Sequence, residues 1–486
     1  MKDLADIGIV GLASIGVNLA LNIESKGYTV ALYNRTKEKL DEFMEYSGKG
    51  KRIYPTGSIP EFFGFLKRPR RVLLSVKAGV PVDEMIGRLL PHLEPGDVLI
   101  DGANSHFSDT ERRYEKLKSS GVHYIGLGVS GGEEGALFGP ALMAGGDFDG
   151  WKKIENLFLE ISAKVGPGKK PCCAWFGKGG AGHFIKMVHN GIECADIELT
   201  GEVYAFMRGI LMMSPREMGD VFESWSRSSD SGSYLVTIAA QILKNKEAAT
   251  GKYLVEVLLN RRGRRNTGKW IGDSAFELGI AVPAIEDAMF ARSISDQKEE
   301  RLSAFARLPG VRAERGDRTR YLAKLRNALY ISRLCVYAQG FSLLKAASVE
   351  YGWNLDLAKI ASIWQGGCII RTSLLEDIVS AFSSHSDMDN LLLCPQFRDA
   401  LASANYDWRE ITAKAICSGL PVPAMSGALA YYDSCRSGNI ATNIIQRLQD
   451  YFGGYMFEHT NESRGKVFHA NWYQSSTDIS STDFNV

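Results

Sequence analysis

Short apolar runs rich in β-branched residues alternate with segments of helical periodicity through the first 180 residues. Runs of this length without polar interruption are typical of strands that are buried on both faces of a parallel sheet. The apolar runs lie at residues 7–10, 29–33, 71–76, 98–100 and 123–127. Helical patterns such as residues 82–93 and 110–119 separate them. This alternation predicts βαβ units and a doubly wound α/β sheet.

The pattern changes at residues 177–182, a run of small residues that predicts a hinge or a domain boundary. Helical periodicity then continues to about residue 450. The last 30 residues turn polar, and we expect them to be too poor in apolar side chains to form a core of their own. We therefore predict three parts: an N-terminal α/β domain at 1–180, a large all-α domain at 181–437 and a short C-terminal tail at 438–486.

A glycine-rich turn follows the first predicted strand directly and opens a helix. Its sequence, Gly11-Leu12-Ala13-Ser14-Ile15-Gly16, has the form G-x-A-x-x-G. Small residues at such a turn let a pyrophosphate approach backbone N–H groups at the helix N-terminus. The pattern alone is weak, but its placement between strand and helix predicts a dinucleotide site in a Rossmann-like domain.

The end of the second predicted strand distinguishes the two nicotinamide coenzymes. A protein that selects NAD usually places an acidic residue there to bind the ribose 2′-hydroxyl. This chain instead has Asn34, Arg35 and Thr36. Because arginine can pair bidentately with a phosphate, Arg35 favours NADP. The alternative is a solvated arginine on a surface loop.

Net charge and cysteine content exclude several classes of protein. The chain carries 57 lysines and arginines against 56 aspartates and glutamates, so no global attraction to nucleic acid or to an anionic membrane is expected. The longest early uncharged run, residues 7–23, is too short to span a bilayer. Eight cysteines without a CxxC motif favour reduced thiols over structural zinc. We expect a cytoplasmic protein without a targeting segment.

Polar side chains form one narrow stripe on the helix after the run of small residues. They are spaced i, i+3, i+4 and i+7, as Lys186, His189, Asn190 and Glu193. At about 100° per residue, these positions lie within a stripe roughly 100° wide. Apolar residues occupy the other side: Phe184, Val188, Ile192, Ala195 and Leu199. The pattern fits either a catalytic cleft or a solvated face with a Lys–Glu pair.

A second glycine-rich segment, residues 129–135, follows the fifth predicted strand. It contains Ser130, Gly131 and Gly132, whose exposed amides and hydroxyl could hold a carboxylate or hydroxyl of a small substrate. The alternative is a plain turn.

With these motifs in place, the chain resembles the 6-phosphogluconate dehydrogenase family, which is NADP-dependent and decarboxylating. The matching segments span nearly the whole chain in order: residues 11–16, 34–36, 76–78, 101–105, 129–135, 182–193, 267–270, 290–292, 337–341, 364–371 and 450–453.

The resemblance implies a reaction and a role for each site residue. The C3 hydroxyl of 6-phosphogluconate gives a hydride to NADP, the 3-keto acid loses CO₂, and the enediol is protonated to ribulose 5-phosphate. Lys186 is then the base and Glu193 the acid. No metal is needed, because the β-keto acid supplies its own electron sink. The tail would thread into a partner subunit of a homodimer.

Further residues are carried over from the family by position. Those implied for the cofactor are Gly11, Leu12, Ala13, Ser14, Ile15, Gly16, Asn34, Arg35, Thr36, Val76, Lys77, Ala78 and Asn104. Those implied to orient the sugar acid are His189, Asn190, Asn104, Ser130, Gly131 and Gly132.

The family's phosphate site differs at four of five positions in this chain. Arg292 matches one arginine, whereas Arg265 replaces a lysine and Cys194 replaces a tyrosine. In the tail, Gln449 stands where the family has arginine and Tyr455 where it has histidine. A hydrogen bond to a charged group contributes about 1.5–3 kcal/mol, so phosphate binding could weaken by about one to three orders of magnitude. Two alternatives therefore stand beside the family's reaction: a different sugar acid, or a non-catalytic NADP-binding paralogue.

Overall fold

The structure, a computed structural model, describes residues 4–228, 232–258, 267–311, 314–438, 440–453, 455–470, 472 and 479–481. The chain divides into two compact units, residues 1–429 and residues 430–486. The three-part division at residues 180 and 437 that the sequence predicts stays a prediction.

A large, mostly parallel sheet organises the first part of the larger unit. The strands in chain order are β1 (Ile7–Val10), β2 (Val30–Tyr33), β3 (Ile53–Thr56), β4 (Arg71–Leu74), β5 (Val98–Asp101), β6 (His123–Ser130), β7 (Ala141–Gly146), β8 (Lys164–Val165), β9 (Lys170–Pro171) and β10 (Cys173–Trp175). Eight of them form one sheet in the order β10-β7-β6-β5-β4-β1-β2-β3. Only the β6–β7 pair within this sheet is antiparallel. The α/β fold class and its doubly wound sheet are confirmed.

Seven helices cover the two faces of this sheet. They are α1 (Ser14–Ser25), α2 (Lys37–Tyr46), α3 (Ile59–Gly64), α4 (Val80–Leu89), α5 (Phe107–Lys118), α6 (Gly132–Phe138) and α7 (Phe148–Ile161). Alternate strand residues face opposite sides, so Ile9 belongs to the cluster under α1 and α7. Val10 belongs to the cluster under α3, α4 and α5. A strand buried on both faces explains why its sequence is a continuous apolar run.

The strand order reverses between β1 and β4, where the chain crosses from one half of the sheet to the other. In open parallel sheets, ligands bind in the crevice beyond the carboxyl ends of the strands at this switch point. The glycine-rich turn follows β1, and Ser75 and Val76 follow β4, so both segments lie at that crevice. The fold therefore places the predicted dinucleotide motif where such a ligand binds.

Helices make up most of residues 181–436. They are α8 (Ala181–Gly209), α9 (Pro215–Ser226), α10 (Tyr234–Lys244), α11 (Thr267–Glu277), α12 (Pro283–Ser295), α13 (Lys298–Arg307), α14 (Arg318–Glu350), α15 (Leu357–Ile363), α16 (Leu374–Ser384), α17 (Pro395–Cys417) and α18 (Pro423–Arg436). Three-residue 3₁₀ helices lie at Leu90–His92, Leu254–Glu256 and Leu391–Leu393. Two long helices, α8 and α14, pack against each other at the centre, and α8 also packs on β6 and β7. This contact joins the helical part to the sheet.

The smaller unit has a core that the sequence analysis did not expect. Helix α19 (Thr442–Gly453) is followed by the strands β11 (Phe457–Glu458), β12 (Val467–Ala470) and β13 (Ile479–Ser481). The three strands form an antiparallel sheet over a small cluster of buried Phe457, Phe468 and Ala470. The expectation of a tail without its own core is therefore wrong, because a few aromatic residues on one sheet face suffice for a small cluster.

Within the described part of the chain, every helix is too short or too polar to span a lipid bilayer.

Candidate active site

The glycine-rich turn after β1 is shaped for the close approach of a ligand. Gly11 has a φ of +100°, and a Cβ atom there would lie 2.3 Å from the carbonyl oxygen of Ser75. A side chain at this position would therefore both strain the backbone and collide with the segment after β4. The N-terminus of α1 follows this turn, and its helix dipole favours negative charge there.

A cavity of about 410 Å³ runs from this turn past the end of β2. Its lining includes Gly11, Leu12, Ala13, Asn34, Arg35, Thr36, Val76 and Lys77 from the predicted set, with Lys39 and Arg88 as further cations. Asn34 accepts a hydrogen bond from the Leu12 amide at 3.2 Å, which ties the end of β2 to the glycine-rich turn. Exposed cations around this cavity fit a dinucleotide that carries an additional 2′-phosphate. One acidic side chain, Glu84, lines the cavity as well.

Ile15 lines the neighbouring cavity instead of this one. Three members of the predicted cofactor set, Ser14, Gly16 and Ala78, are not among the lining residues of either cavity. Arg35 is exposed to solvent and also lines the cavity. The alternative of a solvated surface arginine therefore describes its surroundings only in part.

A second cavity of about 630 Å³ lies beside the first and shares Ala13, Ser75 and Val76 with it. The predicted residues that line it are Asn104, Ser130, Gly131, Gly132, Lys186, Asn190, Glu193 and Cys194. These residues come from the segment after β5, the end of β6 and the first half of α8. Two adjoining cavities with a common wall allow a dinucleotide and a small polar substrate to meet.

The polar stripe of α8 faces this second cavity. Lys186 is 7% exposed and His189 is fully buried, and the apolar residues on the other side of the helix are fully buried too. The alternative of a solvated polar face is therefore wrong. Sequence periodicity could not decide this point, because it does not reveal what covers the polar side.

A chain of short contacts links the stripe to the glycine-rich segment of β6. Lys186 Nζ lies 3.3 Å from Nδ1 of His189. His189 Nε2 lies 2.9 Å from Oγ of Ser130. An amine donating to Nδ1 favours the tautomer with its proton on Nε2, which then donates to Ser130. Asn190 Nδ2 reaches Asn104 Oδ1 at 3.5 Å, so both loop segments contact α8.

Burial controls the protonation of this cluster. Desolvation lowers the pKa of Lys186, although the carboxylate of Glu193 opposes the shift. Desolvation also lowers the pKa of His189 to well below its ordinary value, and the neighbouring Lys186 adds to that effect. The result is a neutral imidazole beside an amine that loses its proton easily. Such an amine is suited to act as a general base.

The opposite wall of the cavity is held by the segment between α15 and α16. Gly131 has a φ of +108°, and a Cβ atom there would lie 2.5 Å from the carbonyl oxygen of Gly367. Buried Tyr337 donates a hydrogen bond at 2.6 Å to the carbonyl oxygen of Ile370, next to the lining residue Ile369. The glycine-rich segment is therefore tightly packed at Gly131, and its role in holding the substrate stays a prediction.

The predicted phosphate-binding residues are only partly brought together. Cys194 lines the cavity, and Arg292 Nη1 lies 3.0 Å from its sulfur atom. Arg265 lies outside the described residues. Gln449 lies on α19 and Tyr455 shortly after it, both in the smaller unit. The roles of these three residues stay predictions.

Several lining residues are missing from the set predicted by sequence reasoning, among them Ser75 and Ile369. Ser75, which follows β4, lines both cavities, and Ile369 lines the substrate cavity. The position of Ser75 after a buried strand beside the switch point was a usable signal. A third residue, Cys368, is buried near Lys186, and burial raises the pKa of its thiol to about 12.

The two cavities define a dinucleotide-dependent oxidoreductase that acts on a small polar substrate. A family model described as the NAD binding domain of 6-phosphogluconate dehydrogenase matches residues 6–177. A second model, the C-terminal domain of 6-phosphogluconate dehydrogenase, matches residues 182–472. The chain belongs to the 6-phosphogluconate dehydrogenase family, and the resemblance based on its motifs is confirmed.

Relatives from distant organisms are similar over their full length. The decarboxylating 6-phosphogluconate dehydrogenase of Dictyostelium discoideum is 43% identical over 99% of this chain and 99% of its own length. The NADP(+)-dependent, decarboxylating enzyme of Bacillus subtilis is 45% identical over 96% of this chain and 98% of its own. Both names agree with the predicted enzyme class, and the second agrees with NADP as the cofactor. Both predictions are confirmed for this family member.

A solved structure supports the same assignment. Plasmodium falciparum 6-phosphogluconate dehydrogenase, described in apo form and in complex with NADP+ or 6-phosphogluconate, is 38% identical. It superposes with a TM-score of 0.91 and covers 96% of this chain and 100% of its own. The fold described above is therefore the fold of that enzyme.

Proposed function

We propose that this protein catalyses the oxidative decarboxylation of 6-phosphogluconate to ribulose 5-phosphate and CO₂, with reduction of NADP. The main observation in support is that Lys186, Asn190 and Glu193 line one cavity, and that this cavity adjoins the cavity of the dinucleotide motif. When bound, NADP supplies the acceptor for the hydride that leaves C3 of the substrate. The glycine-rich turn after β1 would hold the pyrophosphate, and Arg35 would bind the 2′-phosphate.

Lys186 acts as the base in this proposal. Its Nζ accepts the proton of the C3 hydroxyl and later returns a proton to the keto oxygen, which promotes loss of CO₂. Burial favours the neutral amine that this step requires. His189, held between Lys186 and Ser130, fixes the position of the amine and of the glycine-rich wall.

Glu193 acts as the acid that protonates C1 of the enediol. It lines the same cavity as Lys186, two turns further along α8. Asn104, Asn190 and Ser130 supply amide and hydroxyl groups that orient the sugar acid. Polar groups placed by a helix and two strand ends are pre-organised, so little conformational freedom is lost when the substrate binds.

A related sugar acid is the second candidate substrate. Cys194 at the cavity wall favours it, whereas Arg292 opposes it. A thiol at the cavity wall offers phosphate a weaker partner than a phenol. Arg292, which contacts that thiol, retains one full positive charge at the same place and favours the phosphorylated acid. The homodimer and the cytoplasmic location implied by the sequence are part of the same proposal.

One assay tests the proposal. Purified protein is incubated with NADP and either 6-phosphogluconate or gluconate, and the formation of NADPH and CO₂ is followed together. Release of both products in equal amounts from the phosphorylated acid supports the proposed reaction. A preference for gluconate supports the second candidate. Binding of NADP without turnover of either acid would identify a non-catalytic paralogue.

A further inference from the structure

Arg113, on the buried side of α5, satisfies all of its hydrogen-bond donors. Its side chain is 1% exposed. Nε donates to Asp83 Oδ1 at 3.0 Å, and Nη2 donates to Asp83 Oδ2 at 2.7 Å and to the carbonyl oxygen of Gly79 at 3.1 Å. Nη1 donates to Asp101 Oδ2 at 3.2 Å and to Ser105 Oγ at 3.1 Å. A guanidinium group has five N–H donors, so none is left for a ligand.

The acceptors of Arg113 belong to two segments that build different cavities. Gly79 and Asp83 lie at the start of α4, and other α4 residues line the dinucleotide cavity. Asp101 and Ser105 flank the segment after β5 whose residues 102–104 line the substrate cavity. One planar side chain thus joins a wall of each cavity.

The same helix also holds the start of α8. Glu111 accepts a hydrogen bond from the amide of Gly180 at 2.8 Å. Thr110 Oγ1 lies 2.7 Å from Nδ1 of His183 in the first turn of α8. Among the described residues, none of those lining either cavity belongs to α5. The helix therefore contacts three walls of the cleft from behind.

We propose that Arg113 is a positioning residue that keeps the segment carrying Asn104 in register with α4, and thereby keeps the two cavities aligned for hydride transfer. The inference rests on the proposed function for the reaction itself. A fixed guanidinium fork suits this task better than an ammonium group, because its donors have fixed directions toward several acceptors. A small misplacement of reacting groups lowers the rate by about 10²-fold without removing any catalytic side chain.

Arg112, the neighbour of Arg113 on α5, provides a matched control. It bonds both carboxylate oxygens of Asp83 at 3.0 and 3.1 Å. Its side chain is 53% exposed, and its other hydrogen bond goes to Asp109 of the same helix. Substitution of Arg112 therefore perturbs Asp83 without breaking the link to Asp101 and Ser105.

The test compares Arg113→Lys and Arg112→Lys in the full-length protein. We expect Arg113→Lys to lower kcat by about 10- to 100-fold, with the KM for 6-phosphogluconate changed less than threefold. Arg112→Lys should stay within about twofold of the wild type. A kcat of Arg113→Lys within threefold of the wild type would overturn the proposal.

Ligand binding gives a readout that does not depend on turnover. Adenosine 2′,5′-bisphosphate can occupy only the dinucleotide cavity, whereas NADPH extends toward the substrate cavity. We expect Arg113→Lys to raise the dissociation constant of NADPH at least tenfold and that of the bisphosphate less than threefold, as measured by calorimetry. Equal weakening of both ligands would show a general structural defect and refute the proposal. This comparison remains decisive if the wild type proves not to oxidise 6-phosphogluconate.

Single-acceptor variants keep the test decisive if Arg113→Lys does not fold. Ser105→Ala removes one of the five hydrogen bonds of Arg113, together with the hydrogen bond that Ser105 donates to Asp101, and leaves the ion pairs in place. It should reduce kcat by about threefold to tenfold and weaken the binding of NADPH more than that of the bisphosphate. An unchanged kcat together with unchanged NADPH binding in a folded Ser105→Ala protein would count against the proposal.

Discussion

The amine of Lys186 lies 3.3 Å from Nδ1 of His189, one turn further along α8, and both side chains are buried. Desolvation lowers the pKa of both groups, and Lys186 lowers the pKa of His189 further. The pair is therefore held in a state in which the amine readily loses its proton.

The first prediction concerns the pH dependence of the reaction. Because burial lowers the pKa of Lys186 below the ordinary value of 10.5, its neutral form should appear at lower pH than that of an exposed lysine. The value of kcat/KM should rise with pH through a midpoint below 10.5 and level off at higher pH. The pH–rate profile of the wild type measures this midpoint.

Glu193 provides an internal check on that assignment. Its carboxylate raises the pKa of Lys186, so Glu193→Gln should lower the pKa further. Inactivation by an amine-specific acylating reagent should then begin at lower pH in the variant, with labelling at Lys186 mapped by mass spectrometry. A shift to higher pH would contradict the electrostatic coupling.

Removal of the amine should reduce the rate strongly. We expect Lys186→Ala to lower kcat by about 10²- to 10⁴-fold, the usual contribution of a positioned acid–base group. The dissociation constant for NADP should change much less, because Lys186 does not line the dinucleotide cavity. Steady-state kinetics and calorimetry measure the two effects. Lys152→Ala, an exposed lysine of α7, is the control, and near-normal turnover of Lys186→Ala would refute its role as base.

Coenzyme selectivity should depend on Arg35. Loss of a hydrogen-bonded ion pair to the 2′-phosphate costs about 1.5–3 kcal/mol, so Arg35→Ala should weaken NADP by about 10- to 100-fold. NAD has no 2′-phosphate, and its affinity should be nearly unchanged. Fluorescence titration with NADPH and NADH measures both constants. Lys37→Ala removes a nearby exposed charge as a control, and equal losses for both coenzymes would show that Arg35 does not bind the 2′-phosphate.

Arg292 should determine the preference for a phosphorylated acid. In Arg292→Met, the KM for 6-phosphogluconate should rise by about 10-fold or more, while the KM for gluconate stays within about threefold. Arg301→Met, on the next helix, should leave both constants unchanged, because its guanidinium group binds the carbonyl oxygens of Ile294 and Ser295. Parallel changes with both acids would place Arg292 outside the phosphate site.

Stability should depend on pH through Glu202. Burial raises the pKa of this α8 carboxyl to about 8, although the amides of Ala424 and Met425 donate to it and oppose the shift. The folded state then holds a proton that the unfolded state loses near pH 4.5, so this contribution falls as pH rises toward 8.

Glu202→Gln removes that titration. The difference in unfolding free energy, wild type minus variant, should decrease by more than about 1 kcal/mol between pH 5 and pH 8.5. Urea denaturation across this range measures the difference. Glu45→Gln, an exposed glutamate of α2, should follow the wild type throughout. A difference that stays constant or grows with pH would contradict the assignment.

The sheet was only partly predictable. The five predicted strands are present, with ends shifted by a few residues. Three more were missed: β3 contains a proline at an edge of the sheet, β7 consists largely of small residues, and β10 has only three residues. None of these three sequences is a continuous run of large apolar residues, and each pairs because a neighbouring strand is already in place.

Local sequence determined the glycine-rich turn, the direction of α1 and the polar stripe of α8, because each depends on residues within two helical turns of one another. It also determined the family, through short motifs in a fixed order. Tertiary structure alone decided that Lys186 and His189 of the stripe are buried, since the elements that cover them are distant in sequence. It alone decided that Arg113 meets Asp83 and Asp101, because sheet pairing brings their segments together at the ends of neighbouring strands.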